Sequence, residues 1–275
     1  MTVEIGADVS AHPARAQLLA DFGEDYLSIQ SLFRFCFVPS GRLGLLKDLA
    51  VVEEWGANDF VLLKYLAVHV RFAIEQGRYV WNGDQIVINA GRLVTATGAP
   101  IYAGIVKNNT PDENPWVLNW VGERPSCAEL PEPPDLGPWP TLAPGLEVII
   151  ACDLDGDDRP PRLPGLAGVP VVTRMAALAG AVQWSLYRGL AVRQLHGAGR
   201  GFFVPVYLSS REDLTAAPDV VAPIVTQGER LVVRTLLEPH VAYAPARAVV
   251  ERCELIAPWL LEAWEAAAEE GREAD

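Results

Sequence analysis

The sequence has only four cysteines in 275 residues, Cys36, Cys127, Cys152 and Cys253, far apart and without a CxxC pair. That spacing excludes a dense disulfide framework and reads as idle thiols in a reducing compartment. Positive charge is scarce as well: 22 Lys and Arg stand against 35 Asp and Glu, a formal net charge of -13. Such a deficit opposes long-range attraction to a phosphate backbone, so any contact with nucleic acid must be local. No run reaches the roughly 18 apolar residues of a membrane span. The start, Met1 and then TVEIGADVSAH, lacks the basic-then-apolar order of a signal peptide. The expectation is a cytoplasmic protein with no membrane contact.

The usual catalytic signatures are missing too. His12, His69, His196 and His240 are isolated, with no HxH, HExxH or Cys/His cluster, so no metal site is expected. There is no GxSxG elbow, Walker loop or GxGxxG fingerprint, which removes the common support for acyl transfer and dinucleotide binding and leaves any cofactor unassigned. Whether the chain is an enzyme stays open on these grounds.

What is present is a packed globule: 50% hydrophobic residues, 21% charged and eight Trp. Two short amphipathic helices are predicted at roughly Arg15–Phe22 and Leu43–Trp55, with SLFRFCFV between them as a strand. Asn58 or Asp59 is placed to cap a longer helix whose apolar face is Phe60, Leu63, Ala67, Val70 and Ile74, with Lys64, Arg71 and Glu75 toward water and Gly77 ending it. From Tyr79 the period changes to two. RYVW and QIVIN flank Asn82–Gly83–Asp84, a strong hairpin signal, and RLVT, PIYAGIVK and WVLNWVG continue the sheet, with Trp116 and Trp120 on one face.

Prolines between 125 and 144 exclude a helix or central strand. LEVIIACD follows as a strand able to join the same sheet; then come a helix at about Thr173–His196, a strand at GFFVPVYL, a hairpin through Gly228 and C-terminal helices, with Pro258 in the first turn of the last. The pattern has no internal repeat and no repeated βαβ unit. It predicts an α+β fold, a mixed, largely antiparallel sheet with flanking helices. We read one domain over 1–275, with an N-terminal half 1–124, a Pro-rich connector 125–144 and a C-terminal half 145–275.

Two local signals invite chemistry. VIIACDLDGDD delivers Asp153 and Asp155 at a strand end, as haloacid-dehalogenase-type phosphatases deliver their carboxylates, and VVT ending at Thr173 mimics a second motif. Asp157 stands where that family has Thr, however, and no Lys follows Lys107 to neutralise a phosphoryl group. DLDGDD also lacks the register and distal Glu of a calcium loop, so an acidic turn is the simpler reading. HGAGRG, residues 196–201, has the glycines and arginine of a phosphate cradle and equally the composition of a helix-to-strand connection.

Several stretches taken in order resemble a bacterial and fungal family catalogued as domain of unknown function three-eight-two-five. They are FVLLKYLAVHVRFAIEQGRY, INAGRLVTATGAPIYAGIVKN, AVRQLHGAGRGFFVPVYL and AYAPARAVV with PWL after it. The polar positions that the resemblance carries over are Asn89, Gly91, Thr95, Tyr102, Asn108, Tyr187, Arg188, Gln194, Tyr243 and Arg247. Departures are an inserted Arg92, Arg193 in place of Pro, and Ala244–Pro245 in place of two asparagines. The resemblance implies an RNA setting, since similar domains are fused to cold-shock, OST-type winged-helix or NYN-nuclease modules. The expected substrate-binding residues are Asn89, Thr95, Tyr102, Arg188, Gln194, Tyr243 and Arg247. Arg188 and Arg247 suit a phosphate, Tyr102 or Tyr243 a stacked base, and Asn89 and Gln194 a base edge. The function expected is an RNA- or nucleotide-associated protein, either a phosphoester-processing enzyme or a degenerate relative of one. The alternative is a non-catalytic module that binds RNA, nucleotide or a protein partner within a larger bacterial assembly.

Overall fold

The computed structural model describes residues 13–23, 28–50, 53, 55, 58–110, 114–127, 129–143, 145–154, 163, 165–196 and 199–273, and the fold is α+β. It divides into two compact units, Met1–Gly137 and Pro138–Asp275, with the boundary inside the Pro-rich segment.

In the first unit, α1 (Pro13–Phe22), α2 (Ile29–Phe35), β1 (Cys36–Phe37), α3 (Ser40–Leu49) and α4 (Phe60–Gln76) precede a meander of β2 (Tyr79–Trp81), β3 (Gln85–Val94), β4 (Pro100–Lys107) and β5 (Trp116–Gly122). The sheet order is β1-β5-β4-β3-β2, antiparallel except that β1 adds parallel to β5. The second unit has β6 (Glu147–Ile150), α5 (Val171–Tyr187), β7 (Val192–His196), β8 (Gly199–Val206), β9 (Val220–Gln227) and β10 (Arg230–Val233), then α6 (Tyr243–Arg247) and α7 (Pro258–Glu273). Its order is β6-β10-β9-β8-β7, with β6 parallel to β10.

The two orders are the same topology. In each unit a first strand leads to a 17-residue helix that ends at a left-handed glycine, Gly77 after α4 and Gly189 after α5, and a four-strand meander returns to pair with that first strand. The sequence shows no repeat, so the repetition lies in backbone arrangement and not in side chains. It also places LEVII on β10 in the second sheet instead of extending the first.

Three segments differ from their sequence reading. SLFRFCFV is mostly helix: the Ser28 hydroxyl accepts from the Ser31 N–H at 3.0 Å, and Ile29, Leu32 and Phe35 share one buried face, leaving only Cys36–Phe37 extended. The helix expected at Leu43–Trp55 runs over Ser40–Leu49, where Ala50 turns out of helical geometry. The helix expected to reach His196 stops at Tyr187, so HGAGRG joins two strands and not a helix to a strand; residues 197–198 lie outside the described ones.

Burial around α4 also exceeds a single stripe. Every residue from Tyr65 to Ile74 is buried, including His69 and Arg71, because α1 and α2 pack on one side of the helix and β3 on another. A helix covered on several sides loses the polar face that periodicity assumes. Phe60, at the start, is exposed instead.

Candidate functional site

In the first unit the helix-facing side of the sheet holds Ile86, Ile88, Ala103, Ile105, Leu118 and Val121, all nearly inaccessible. The other side carries Val87, Asn89, Tyr102 and Gly104. Asn89 lies directly opposite Tyr102, which lies opposite Gly122, so the three form one cross-strand row. Trp120 belongs to this face and not to that of Trp116. The register slips between Gly104 and Ile105, and a one-residue slip turns the following side chains over. Its indole lies against Gly122, where a Cβ would approach to 2.7 Å, and against Gly104, where it would reach 3.4 Å.

Asn89 and Tyr102 are both buried, and the Asn89 Oδ1 accepts no hydrogen bond among the described residues. Just past it β3 bulges. Gly91 takes φ +80°, and a Cβ there would sit 2.6 Å from His69 Nδ1 and closer still to the Tyr65 hydroxyl. Tyr65 stacks on His69 at 4.0 Å and its hydroxyl accepts from the Arg92 N–H at 3.0 Å. The Thr95 Oγ1 accepts from the Ala99 N–H at 3.3 Å and closes the β3–β4 turn. Asn108 likewise builds a turn, accepting from the Thr110 N–H at 3.1 Å.

In the second unit α6 packs on β7 and brings Tyr243 and Arg247 to the strand that carries Gln194. All three are buried, Arg247 completely. Tyr243 stacks on Trp264 with centroids 4.8 Å apart and planes 15° from parallel. Gln194 is paired with Gly201, where a Cβ would meet Gln194 Nε2 at 2.9 Å and the Ile224 carbonyl at 2.6 Å. Solvent scarcely reaches these side chains, which lie in the interior of the second unit.

Arg188 is apart from them, exposed at the end of α5. There it joins a group that sequence reading missed. The guanidinium carbons of Arg188 and Arg211 lie 6.0 Å and 4.7 Å from the ring centroid of Trp184, and Trp184 meets Tyr207 edge-on at 6.3 Å. A second group lies at the β7–β8 edge, where Arg193 and Arg200 stand 5.3 Å and 5.9 Å from the ring of Trp139, whose Nε1–H donates to the Gly201 carbonyl at 3.2 Å. Each contact contributes about 0.5–1 kcal/mol at exposed sites and holds a flexible arginine in place.

One sequence signal does lead here. From 159 to 211 the chain has seven arginines and no Asp or Glu, within a protein of net charge -13. Five of the seven, Arg174, Arg188, Arg193, Arg200 and Arg211, are among the described residues, on or just after α5, β7 and β8, where they add local positive charge. Elsewhere, Asp153 is exposed beyond β6, and Asp155, its partner in the phosphatase-like reading, lies outside the described residues. An open hollow of about 500 Å³ at the β2–β3 turn is lined by Asn82, Asp84, Gln85, Val106, Lys107 and Asn109, none of them an expected site residue. Among the described residues no group of three or more His, Cys, Asp or Glu could hold a metal ion, and no helix is long and apolar enough to cross a membrane. No family model, curated protein or solved structure matches the chain.

Proposed function

We propose that the chain is an RNA- or nucleotide-associated protein that works by binding, through the arginine-rich side of its second unit. The observation that carries this reading is the acid-free interval 159–211, which sets Arg188 and Arg211 about Trp184 and Arg193 and Arg200 about Trp139. Arginine offers a planar fork to phosphate oxygens, and an aromatic ring beneath it fixes the plane of that fork. Positive charge gathered locally in this interval also gives a net-acidic chain the local attraction that its total charge opposes.

The test is titration of the full chain with a fluorescein-labelled RNA oligonucleotide, read by anisotropy at several salt concentrations. Expected is binding that weakens with salt with a log–log slope of about -3, as for roughly four phosphates neutralised on a single strand. Absence of binding at 50 mM salt would overturn the proposal. The same oligonucleotide run on a gel after incubation separates binding from turnover: an intact strand supports a binder, and shortened products would favour a phosphoester-processing enzyme.

A further inference from the structure

We propose that Trp184, Tyr187, Arg188 and Arg211 form a site for a single-stranded stretch of nucleic acid, with a phosphate held by the two guanidiniums and a base stacked on Tyr187. This rests on the reading of the chain as RNA- or nucleotide-associated, and narrows it to a strand whose bases are open.

Spacing assembles the platform. Residues 184, 187 and 188 stand at i, i+3 and i+4 near the end of α5 and so lie on one helix face. Tyr187 is 68% exposed, an unusual state for so large an aromatic in a chain that buries most of its rings. Arg211 is brought to the same ring from the segment after β8. Its Nε–H donates to the Tyr207 carbonyl at 3.2 Å while its guanidinium lies over Trp184, which leaves the terminal amino groups at the surface. Tyr207 is itself fixed, with its hydroxyl 3.2 Å from the carbonyls of Leu214 and Ala216. Less freedom of the Arg211 side chain then remains for a phosphate to freeze out.

The two arginines of the platform are not tied up in ion pairs. Among the described residues no carboxylate forms an ion pair with Arg188 or Arg211. The acidic groups that follow are Glu212, Asp213 and Asp219. Asp213 accepts from the Thr215 N–H and hydroxyl at 2.8 Å and 2.6 Å, and Asp219 accepts from the N–H groups of Leu208 and Ser209 and from the Ser209 hydroxyl. Both keep their charge while serving turns of their own loop, Asp213 close enough to Tyr207 to help raise its phenol, and Glu212 is exposed to solvent. The end of α5 carries about half a negative charge, which one guanidinium more than offsets, and the second guanidinium stands against the loop carboxylates without being paired to any of them in the described residues.

The repeated topology supplies an internal control. Aligning the left-handed glycines Gly77 and Gly189 sets Phe72, Glu75 and Gln76 of α4 against Trp184, Tyr187 and Arg188 of α5. In the first unit that helix end is closed by the Arg71–Glu75 pair and by hydrogen bonds between Gln76 and Asp135, with no exposed aromatic. The architecture therefore completes this helix end without an arginine pair, and the second unit's version has chemistry that folding does not require. A base in a duplex is stacked on both sides and hidden from Tyr187, whereas a base in a single strand is free to lie on it.

The experiment compares wild type with Tyr187→Ala, with Arg188→Gln/Arg211→Gln, with Arg193→Gln/Arg200→Gln and with Arg252→Gln as an exposed control. Each is titrated with a labelled single-stranded RNA and with a duplex of equal length, and melting curves confirm the fold. Tyr187→Ala is expected to weaken single-strand binding on the order of ten-fold and leave duplex binding unchanged. The Arg188/Arg211 variant is expected to lose ten-fold or more on the single strand, and Arg252→Gln nothing. If Tyr187→Ala and the Arg188/Arg211 variant bind as wild type while the Arg193/Arg200 variant does not, this site is overturned and the broader function survives. If wild type binds duplex as tightly as single strand and Tyr187→Ala changes neither, the single-strand assignment falls. If wild type binds no nucleic acid, both proposals fall.

Discussion

Arg71 on α4 donates from Nε to the Glu75 carboxylate one turn along at 2.9 Å, and its Nη1 reaches the Gly23 carbonyl at 3.3 Å and the Leu19 carbonyl at 3.5 Å. The guanidinium therefore serves the open C-terminal carbonyls of α1, and it also lies 5.6 Å from the Phe22 ring centroid. A buried cation so engaged is a fixed joint between two helices. Replacing it by Ala removes the donor to Glu75 and to the Gly23 carbonyl, while the Leu19 carbonyl keeps the Gly23 N–H at 3.1 Å, and Arg71→Ala is expected to cost about 3 kcal/mol. Urea denaturation measures this; a loss under 1 kcal/mol would show that the joint contributes little.

Gly91 and Gly83 both have positive φ, +80° and +95°, but only Gly91 has neighbours where a Cβ would go. Gly83→Ala should cost only the left-handed backbone penalty of about 1–2 kcal/mol. Gly91→Ala adds a clash with Tyr65 and His69 on α4 and should be worse by at least about 1 kcal/mol. Equal losses for the two would mean that the bulge relaxes away from the helix.

Much of the backbone was legible because it is set by local chemistry. Asn82–Gly83 makes the β2–β3 turn, Gly77 ends α4 in left-handed geometry, and Pro258 opens α7. What local chemistry does not determine was missed. Trp120 faces away from Trp116 because of a slip in pairing with β4, which no alternation pattern encodes. The shared strand order of the two units escaped notice since Phe72, Glu75 and Gln76 have no likeness to Trp184, Tyr187 and Arg188.

The site divides the same way. Arg188 was an expected site residue, but its companions Trp184 and Arg211 are 27 positions apart and meet only because β8 returns beside α5. Thr95, an expected substrate-binding residue, bonds the backbone of its own turn, as does Asn108, which is the commoner use of such side chains.

Stability at alkaline pH should be set by groups that keep their protons only when folded. Burial pushes the Cys36 thiol far above its ordinary value of 9, and burial, with Asp213 nearby, raises the Tyr207 phenol from 10 to about 12. Burial raises Tyr79 as well, while Lys64, lowered by burial, acts in the opposite sense. For a raised group the native state stays protonated where the unfolded chain has already ionised, so its contribution is whole below the unfolded value and is lost as pH rises through the folded one. Stability is expected to hold to about pH 9 and then fall, by up to about 1.4 kcal/mol per pH unit for each group ionised only in the unfolded chain. Urea midpoints at pH 7, 9 and 10.5 measure the decline, and Cys36→Ala should make it shallower without moving its onset, because burial also raises the Cys152 thiol above its ordinary 9. A midpoint unchanged at pH 10.5 would contradict this account.

Arg247 and Arg188 were both expected to hold a phosphate, yet one is wholly inaccessible and the other stands at the surface. Their variants should therefore separate. Arg247→Ala removes a buried guanidinium from α6 beside Tyr243, which itself stacks on Trp264, and is expected to lower stability by about 3 kcal/mol or more. Arg188→Gln removes an exposed group and should leave stability within about 0.5 kcal/mol while weakening RNA binding. Calorimetric melting and the anisotropy titration, run on both variants, read the two axes independently. A stable Arg247→Ala protein that has lost RNA binding would return the recognition site to the α6–β7 interior, because only an opening of that interior would then let Arg247 meet a ligand.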